Sequence, residues 1–247
     1  MAANLTYAIG DVHGSYTKLA NLIRHCRNHC GENNGRFILL GDYVDRGRRS
    51  GEVVSLLIEA QAAAAPEQFV CLKGNHEDML INAAKGVDEL MWLGNGAETT
   101  LGSYGVGSAS EIPAAHLAWM AELPLAIADE KRFYVHAGIM PGIPLQEQRK
   151  EVMLWIREPF LSDENRHELY IVHGHTPTGV GVPDVFHNRL NLDTMAWAGY
   201  PLAAAVFDDE RVGPLAFVTD DGTVGTAPPI NALERERYAS GSRARYR

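Results

Sequence analysis

Five short apolar runs in this 247-residue chain each end abruptly in a cluster of Gly, Asp, Asn or His residues. The clusters occupy residues 10–14, 41–47, 74–77, 136–138 and 173–176. In open α/β sheets, ligands bind just outside the carboxyl ends of the strands. Glycine lets the backbone turn sharply where a strand stops, so the neighbouring polar side chains can point outward together. The pattern therefore predicts a single site at which all five clusters converge.

The first 72 residues alternate apolar runs with helical periodicity. The runs at 7–9, 37–40 and 69–72 are strand candidates, and Leu19, Leu22, Ile23 and Cys26 between the first two share one helical face. This alternation predicts βαβ units and a largely parallel sheet. Residues 79–123 have a helical pattern with a Gly-rich break at 94–107.

The second half of the chain predicts further strands. They are expected at 133–135, 169–172, 189–192, 201–207 and 214–218. Because few helices separate these runs, we expect this half to be more antiparallel.

Composition limits the classes of protein to which the chain can belong. The chain is 46% apolar and has the length of one large domain or two small ones. It has 22 basic and 31 acidic residues, and a net charge of −9 makes a nucleic-acid partner unlikely on electrostatic grounds. Three cysteines without framework spacing predict reduced thiols, and neither a signal-peptide pattern nor a membrane-length apolar run is evident. We therefore expect a soluble cytoplasmic protein that does not interact with membranes.

The polar clusters contain side chains of the types that bind transition metals. Their carboxylate, amide and imidazole donors, without a thiolate, suit Mn, Fe or Zn in a catalytic site better than a structural zinc site. Two such cations ~3.5–4 Å apart can hold a phosphoryl group and activate water. A carboxylate shared by both cations would be required.

Three of the clusters carry a family resemblance. Residues 10–14 read GDVHG, residues 41–47 read GDYVDRG and residues 74–77 read GNHE. These resemble the signatures of the phosphoprotein-phosphatase branch of the calcineurin-like metallophosphoesterases, and the clusters at 136–138 and 174–176 resemble its two later histidine motifs. The resemblance runs from residue 10 to about residue 194. It implies an α/β fold with a central two-sheet β-sandwich of mixed strands flanked by helices.

The same resemblance implies roles for ten residues. Asp11 and His13 would bind one metal ion, Asp42 would bridge two, and Asn75, His136 and His175 would bind the second. His76 would protonate the leaving oxygen while Asp45 holds its ring, and Arg46 and Arg157 would bind the substrate phosphate. The implied cofactors are two divalent metal ions, Mn first, with Fe or Zn as alternatives.

The implied reaction is hydrolysis of a phosphomonoester by in-line attack of a hydroxide that bridges the metals. The expected substrates are phosphoserine or phosphothreonine proteins, with phosphotyrosine or a small phosphate ester also open. A dinucleoside polyphosphate hydrolase, such as one acting on diadenosine tetraphosphate, is the alternative enzyme. An inactive, metal-bound phosphate-recognition module is the alternative from another class.

Simpler explanations exist for several of these residues. Asp11 and Asp42 could merely cap the helices that follow them. His25, Cys26, His29 and Cys30 have spacing for a metal on a helix, but Cys26 continues an apolar face, which favours burial. His173 is expected to support a ligand, and the segments 92–96 and 103–105 are expected to be loops at the rim of the site.

The sequence departs from the family pattern in one place. Similar bacterial sequences often have glycine after the pair Asp193-Thr194, whereas Met195 stands there in this chain. This departure concerns the edge of the site. We expect a catalytic domain over 1–227 and a basic tail over 228–247 that is weakly ordered or packs as an arm.

Overall fold

The computed structural model of the chain describes residues 5–31 and 35–230. Within these ranges, two mixed β-sheets are flanked by helices, as predicted. The strands are β1 Thr6–Ile9, β2 Arg36–Leu39, β3 Phe69–Cys71, β4 Ala126–Ala128, β5 Arg132–Val135, β6 Tyr170–His173, β7 Asp184–Val185, β8 Arg189–Asn191, β9 Ala203–Phe207, β10 Ala216–Thr219 and β11 Val224–Thr226. The helices are α1 Tyr16–Cys30, α2 Ser50–Ala62, α3 Asn75–Ala84, α4 Glu89–Leu93, α5 Ala97–Tyr104, α6 Ala114–Glu122 and α7 Lys150–Trp155. Three short 3₁₀ turns lie at Ala109–Glu111, Leu145–Glu147 and Ala196–Ala198.

The first sheet contains the parallel strands that the sequence predicts. Its order is β11-β10-β9-β1-β2-β3, and β1, β2 and β3 are mutually parallel. Ile9 pairs with Leu39, and Leu39 pairs with Cys71, so these three strands end level with one another. The polar clusters that follow them must therefore begin at the same edge.

The prediction of a more antiparallel second half is wrong for the centre of the second sheet. Its order is β4-β5-β6-β8-β7, and β5, β6 and β8 are parallel, with antiparallel strands only at the two edges. Parallel neighbours need a crossover of a dozen or more residues. The connection after β5 contains only the short helix α7, and residues 174–188 after β6 contain no helix, so neither shows the regular βαβ pattern. The strands β9, β10 and β11 in the first sheet are antiparallel, as expected.

The two sheets pack face to face across a shared apolar core. Ala8, Ile38 and Leu72 from the first sheet share one buried cluster with Val172 and Leu190 from the second. Helices α1 and α2 cover the outer face of the first sheet through residues such as Leu22 and Leu57. Burying apolar side chains on both faces of the first sheet fixes its strands, and thus the positions of the loops at their ends.

The segments expected to be rim loops at 92–96 and 103–105 are largely helical. Trp92 lies in α4 and is fully buried, and Tyr104 ends α5, so only the turn at 94–96 and Gly105 are irregular. Gly96 adopts a φ of +94°, which lets the chain reverse between two short helices. The glycine-containing turn at 94–96 therefore separates α4 from α5.

The remaining predictions about organisation have mixed outcomes. Cys26, Cys30 and Cys71 are buried and unpaired, as predicted. In the part of the chain that the structure describes, no helix combines the length and the apolar character needed to cross a membrane. Most of the predicted basic tail, residues 231–247, lies outside the described residues.

Candidate active site

The five polar clusters meet at one edge of the paired sheets. The backbone N–H of His13 donates to the Asp42 carbonyl (2.8 Å), and the N–H of His76 donates to the Asp42 carboxylate (3.1 Å). Across the sheets, the N–H of His175 donates to both carboxylate oxygens of Asp11 (3.1 Å each). Residues from β1, β2, β3 and β6 are therefore joined directly, and the predicted convergence is observed.

The backbone at this edge is unusual in conformation. Five of the residues named as site candidates adopt a positive φ: His13, Asp42, Asp45, Arg46 and His175. Such conformations cost energy for residues other than glycine, and they cluster where function needs them. The close approach of loops also requires glycine, since a Cβ on Gly74 would lie 2.2 Å from Oδ1 of Asp42. The motif glycines thus allow loop contacts that alanine would block.

One group of acceptor atoms contains Asp42, Asn75, His136 and His175. His136 Nε2 lies 2.8 Å from Asn75 Oδ1 and 3.4 Å from Asp42 Oδ1, and His175 Nδ1 lies 3.0 Å from the same Asn75 oxygen. His136 Nδ1 faces the Leu40 carbonyl at 2.9 Å and must donate to it. Burial lowers the pKa of His136, which favours the neutral ring, and with its proton on Nδ1 that ring presents the lone pair of Nε2 to the oxygens.

A second group contains His13, Asp42 and His76. His13 Nδ1 donates to the Val44 carbonyl (2.7 Å), and His13 Nε2 lies 3.4 Å from Asp42 Oδ2. His76 Nε2 lies 3.9 Å from the same oxygen. Each of the two groups places its ligand atoms within 4.8 Å of one another. Asp42 belongs to both groups and directs a different oxygen to each.

Asp11 and Asp193 add buried negative charge beside the second group. Burial raises the pKa of Asp11, and the carboxylate of Asp193 raises it further. Oδ2 of Asp193 is buried without a hydrogen-bond partner. Unpaired buried carboxylates are costly, and a cation relieves that cost.

These residues fit divalent cations. Around His136, imidazole nitrogen faces the Asn75 and Asp42 oxygens at 2.8 and 3.4 Å, and in the second group the two histidine Nε2 atoms contact the Arg46 guanidinium. The ligand atoms of both groups are oxygen and imidazole nitrogen. In the described part of the chain, both groups that could hold a metal ion lie at this site, and His25 and Cys26 belong to neither. Cys26 instead lies in the apolar core beneath α1, which favours the burial explanation given above.

His76 is held by a buried carboxylate. Its Nδ1 lies 2.7 Å from Asp45 Oδ2, and Asp45 also accepts hydrogen bonds from Trp92 Nε1 (3.0 and 3.1 Å) and Thr100 Oγ1 (2.7 Å). All four side chains are buried. This network fixes the tautomer with Nδ1 protonated and directs His76 Nε2 into the site.

Glu77 holds the loop that carries Asp42. Its Oε2 accepts from the backbone N–H groups of Asp42 and Gly74 (2.9 Å each), and its Oε1 accepts from that of Tyr43 (2.7 Å). Burial and the nearby Asp42 carboxylate raise the pKa of Glu77 to about 7. The last residue of the GNHE motif therefore orients the loop of the candidate bridging ligand.

The two candidate phosphate-binding arginines occupy different environments. Arg46 is half-buried, with Nη1 2.9 Å from His13 Nε2 and Nη2 3.1 Å from His76 Nε2. Arg157 is exposed and follows α7, whose Trp155 ring lies 5.9 Å from the His175 ring. Burial lowers the pKa of His175 to about 3, and the charge of Arg157 acts in the same direction. Both arginines thus adjoin the candidate metal-binding residues.

Sequence reasoning missed several residues at this site. Asp193 follows the predicted strand at 189–192, just as the five clusters follow predicted strands, so that signal was available. Trp92 and Thr100 gave no signal, because their contacts with Asp45 span 47 and 55 residues of chain. His173, expected to support a ligand, instead bonds through Nδ1 to the Gly174 carbonyl.

The two acceptor groups form a candidate site for two metal ions at the edge of the paired sheets. The family model for calcineurin-like phosphoesterase matches residues 6–207, and the chain belongs to that family. Members of this metallophosphoesterase family hydrolyse phosphate esters at a centre of two metal ions.

Several solved structures share the fold. A candidate diadenosine tetraphosphatase is 20% identical with a TM-score of 0.64, covering 92% of this chain and 96% of that one. A cold-active protein-tyrosine phosphatase of a psychrophilic Shewanella species is 20% identical with a TM-score of 0.66, over 92% and 81%. A protein serine/threonine phosphatase from Saccharomyces cerevisiae is 15% identical with a TM-score of 0.60, over 93% and 82%. At these identities, the similarity is one of fold.

Proposed function

We propose that this chain is a phosphatase that hydrolyses phosphomonoesters, with phosphoserine and phosphothreonine proteins as its first substrates. The observation that carries the proposal is the position of Asp42, which directs Oδ2 to His13 and Oδ1 to His136. A carboxylate shared between two groups of acceptors is what a pair of cations requires. We propose residues 1–227 as the catalytic domain.

The proposed ligands are those named from the sequence. Asp11, His13 and Asp42 would hold one cation, and Asp42, Asn75, His136 and His175 would hold the other. Two divalent cations, with Mn first, would supply charge to the phosphoryl oxygens and lower the pKa of a water molecule.

The protein residues would position the phosphate. The planar guanidinium of Arg46 has two donors that now point at His13 and His76, and it could direct them to two phosphate oxygens. Arg157 is proposed as the second anion-binding residue, since its charge acts on His175. Two arginines and the cations would offset the net negative charge of the chain at this point.

His76 is the proposed general acid. Its Nε2 faces the site while its Nδ1 is hydrogen bonded to Asp45, so a proton on Nε2 could pass to the departing ester oxygen. Asp45 would stabilise the protonated ring between turnovers. Water would attack phosphorus in line with that oxygen, and no side-chain nucleophile would be needed.

A phosphatase is favoured over a dinucleoside polyphosphate hydrolase by the forms of two motifs. This chain has Asp45-Arg46-Gly47 and Glu77. Dinucleoside polyphosphate hydrolases tend to depart from the DRG and GNHE motifs, for instance with GNHD in place of GNHE. In this chain the side chain of Glu77, which is one methylene longer than that of aspartate, reaches backbone N–H groups on two loops. The solved structures with this fold include proteins described by each of these activities.

A substrate panel tests the proposal. The protein, loaded with Mn²⁺, would be assayed on phosphoserine and phosphotyrosine peptides of one sequence and on diadenosine tetraphosphate. We expect the highest kcat/KM on a phosphopeptide, and a much higher value on the dinucleotide would overturn the choice. Turnover in ¹⁸O-labelled water should place one labelled oxygen in the phosphate product, and a trapped phosphoenzyme would contradict direct attack by water.

The same panel, with p-nitrophenyl phosphate added, tests the alternative that the chain is an inactive phosphate-recognition module. A phosphate-recognition module would bind its metal ions and still turn over no substrate, including p-nitrophenyl phosphate. The presence of His76 and Asp45 in hydrogen-bonded contact supports an enzyme.

A further inference from the structure

Trp197 lies beside the proposed phosphate-binding arginine with much of its indole open to solvent. The guanidinium carbon of Arg46 lies 5.5 Å from the centre of the Trp197 ring. Trp197 nevertheless remains 42% exposed. A large aromatic side chain that keeps this much exposed surface beside a reactive site is suited to ligand contact.

The turn that carries Trp197 is fixed at several points. Met195 adopts a φ of +57°, and its N–H donates to Asp193 Oδ1 (3.1 Å). Lys18 Nζ donates to the carbonyls of Ala196 (2.8 Å) and Tyr200 (2.5 Å). Because the backbone on both sides of Trp197 is held, a ligand would have to order only the indole side chain and not the turn.

The position of Trp197 relates it to the leaving group. Arg46 Nη2 lies 3.1 Å from His76 Nε2, the proposed proton donor to the departing oxygen. The centre of the indole therefore lies within about 10 Å of His76 Nε2, given ordinary bond lengths in the guanidinium. A phenyl ring attached to the ester oxygen can bridge that distance at the 4.5–7 Å spacing typical of aromatic pairs, as a rough estimate.

We propose that Trp197 is a specificity-determining residue that packs against an aromatic leaving group, so that the site accepts aryl phosphates such as phosphotyrosine as well as alkyl phosphates. The proposal rests on the proposed function and names a substrate class for the same site. It assigns a residue to the phosphotyrosine activity that the sequence left open, and it leaves phosphoserine and phosphothreonine within the range of substrates.

The test compares two peptides of one sequence, carrying phosphotyrosine or phosphoserine. Trp197→Ala should lower kcat/KM for the phosphotyrosine peptide about two- to tenfold, the range for an aromatic pair, and change that for the phosphoserine peptide less than twofold. Trp197→Phe should retain most of the phosphotyrosine activity. Tyr200→Ala is the matched control, since Tyr200 is an aromatic of the same segment with a similar exposure of 41%.

A binding measurement supplements the kinetics. In the metal-loaded protein, Trp197→Ala should weaken binding of phenylphosphonate about two- to tenfold and leave methylphosphonate unchanged, since only the former carries a ring. Equal losses for aryl and alkyl ligands would mean that Trp197 only supports Arg46, and would overturn the proposal, as would no change for either ligand.

The two proposals fail in different ways. If the wild-type protein hydrolyses neither peptide, the proposed function is wrong. The comparison of the two phosphonates still decides the role of Trp197 in that case, because it requires no turnover.

Discussion

The indole N–H of Trp92 donates to both carboxylate oxygens of Asp45, at 3.0 and 3.1 Å, and Asp45 in turn accepts from Nδ1 of His76. The Asp45 carboxylate, which orients the proposed general acid His76, is therefore itself held by Trp92 of α4. We predict that Trp92→Phe lowers kcat on a phosphoserine peptide by about 10-fold or more, the lower range for partners that orient a site residue, and leaves the metal content unchanged. Trp119→Phe is the matched control, because Trp119 Nε1 donates to Gln61 at 2.7 Å outside the site. Equal activities of the two variants would show that Asp45 needs no support from α4.

His76→Asn separates an acid from a metal ligand. His76 Nε2 lies 3.9 Å from Asp42, close enough to belong to a metal-binding group, so geometry alone permits either role. We predict that kcat on the phosphoserine peptide falls by about 10²–10⁴, the usual share of a general acid. The loss on p-nitrophenyl phosphate should be smaller, because its leaving group departs with little protonation. His187→Asn is the control, and loss of one metal equivalent in His76→Asn would make His76 a ligand.

Asp193→Asn tests the buried carboxylate beside Asp11, of which Oδ1 accepts from the Met195 N–H. Oδ2 of Asp193 is buried without a partner, and its charge raises the pKa of Asp11. Removing that charge should weaken the affinity for one of two Mn²⁺ equivalents by about 10- to 100-fold, as seen for partners of metal ligands. Calorimetric titration measures this Mn²⁺ affinity. Asp184→Asn is the control, because Asp184 is a half-buried carboxyl on β7, and it should leave the affinity for Mn²⁺ unchanged. Unaltered binding in Asp193→Asn would remove Asp193 from the metal site.

Arg46→Lys tests the need for a planar pair of donors. Lysine keeps the charge but cannot place two donors on neighbouring oxygens, so inhibition by inorganic phosphate should weaken about 10-fold or more, from the loss of a charged hydrogen bond. The inhibition constant measures this directly. Arg48→Lys, at an exposed neighbour, should have the wild-type constant. A wild-type constant in Arg46→Lys would mean that the phosphate is held elsewhere.

The local sequence pattern of polar clusters after strands was sufficient to predict the position of the candidate site. Each cluster directly follows an apolar strand, and parallel strands end at one edge, so Asp11, Asp42 and Asn75 could be placed together from the sequence. The parallel orientation of β1, β2 and β3 was predicted from the alternation of strands and helices. These features depend on neighbours in sequence and on one rule of sheet geometry.

Features that depend on distant contacts could not be predicted in this way. The parallel pairing of β5, β6 and β8 is set by crossovers without helical periodicity, so the sequence favoured the wrong orientation. Trp92 and Thr100 reach Asp45 only once α4 and α5 fold over the loop that carries it. Met195, at a position where glycine is usual, holds a left-handed backbone conformation, and Trp197 two residues later lies beside Arg46, a contact that spans 151 residues of chain.

The central claim is that two cations act together at the site built around Asp42. Its most direct test is to strip the protein with a chelator and titrate Mn²⁺ while measuring both bound metal and turnover of p-nitrophenyl phosphate. We predict two equivalents bound per chain, negligible turnover in the stripped protein and full activity only as the second equivalent binds. Full activity in the stripped protein, full activity with a single equivalent bound, or no turnover with both bound would contradict it.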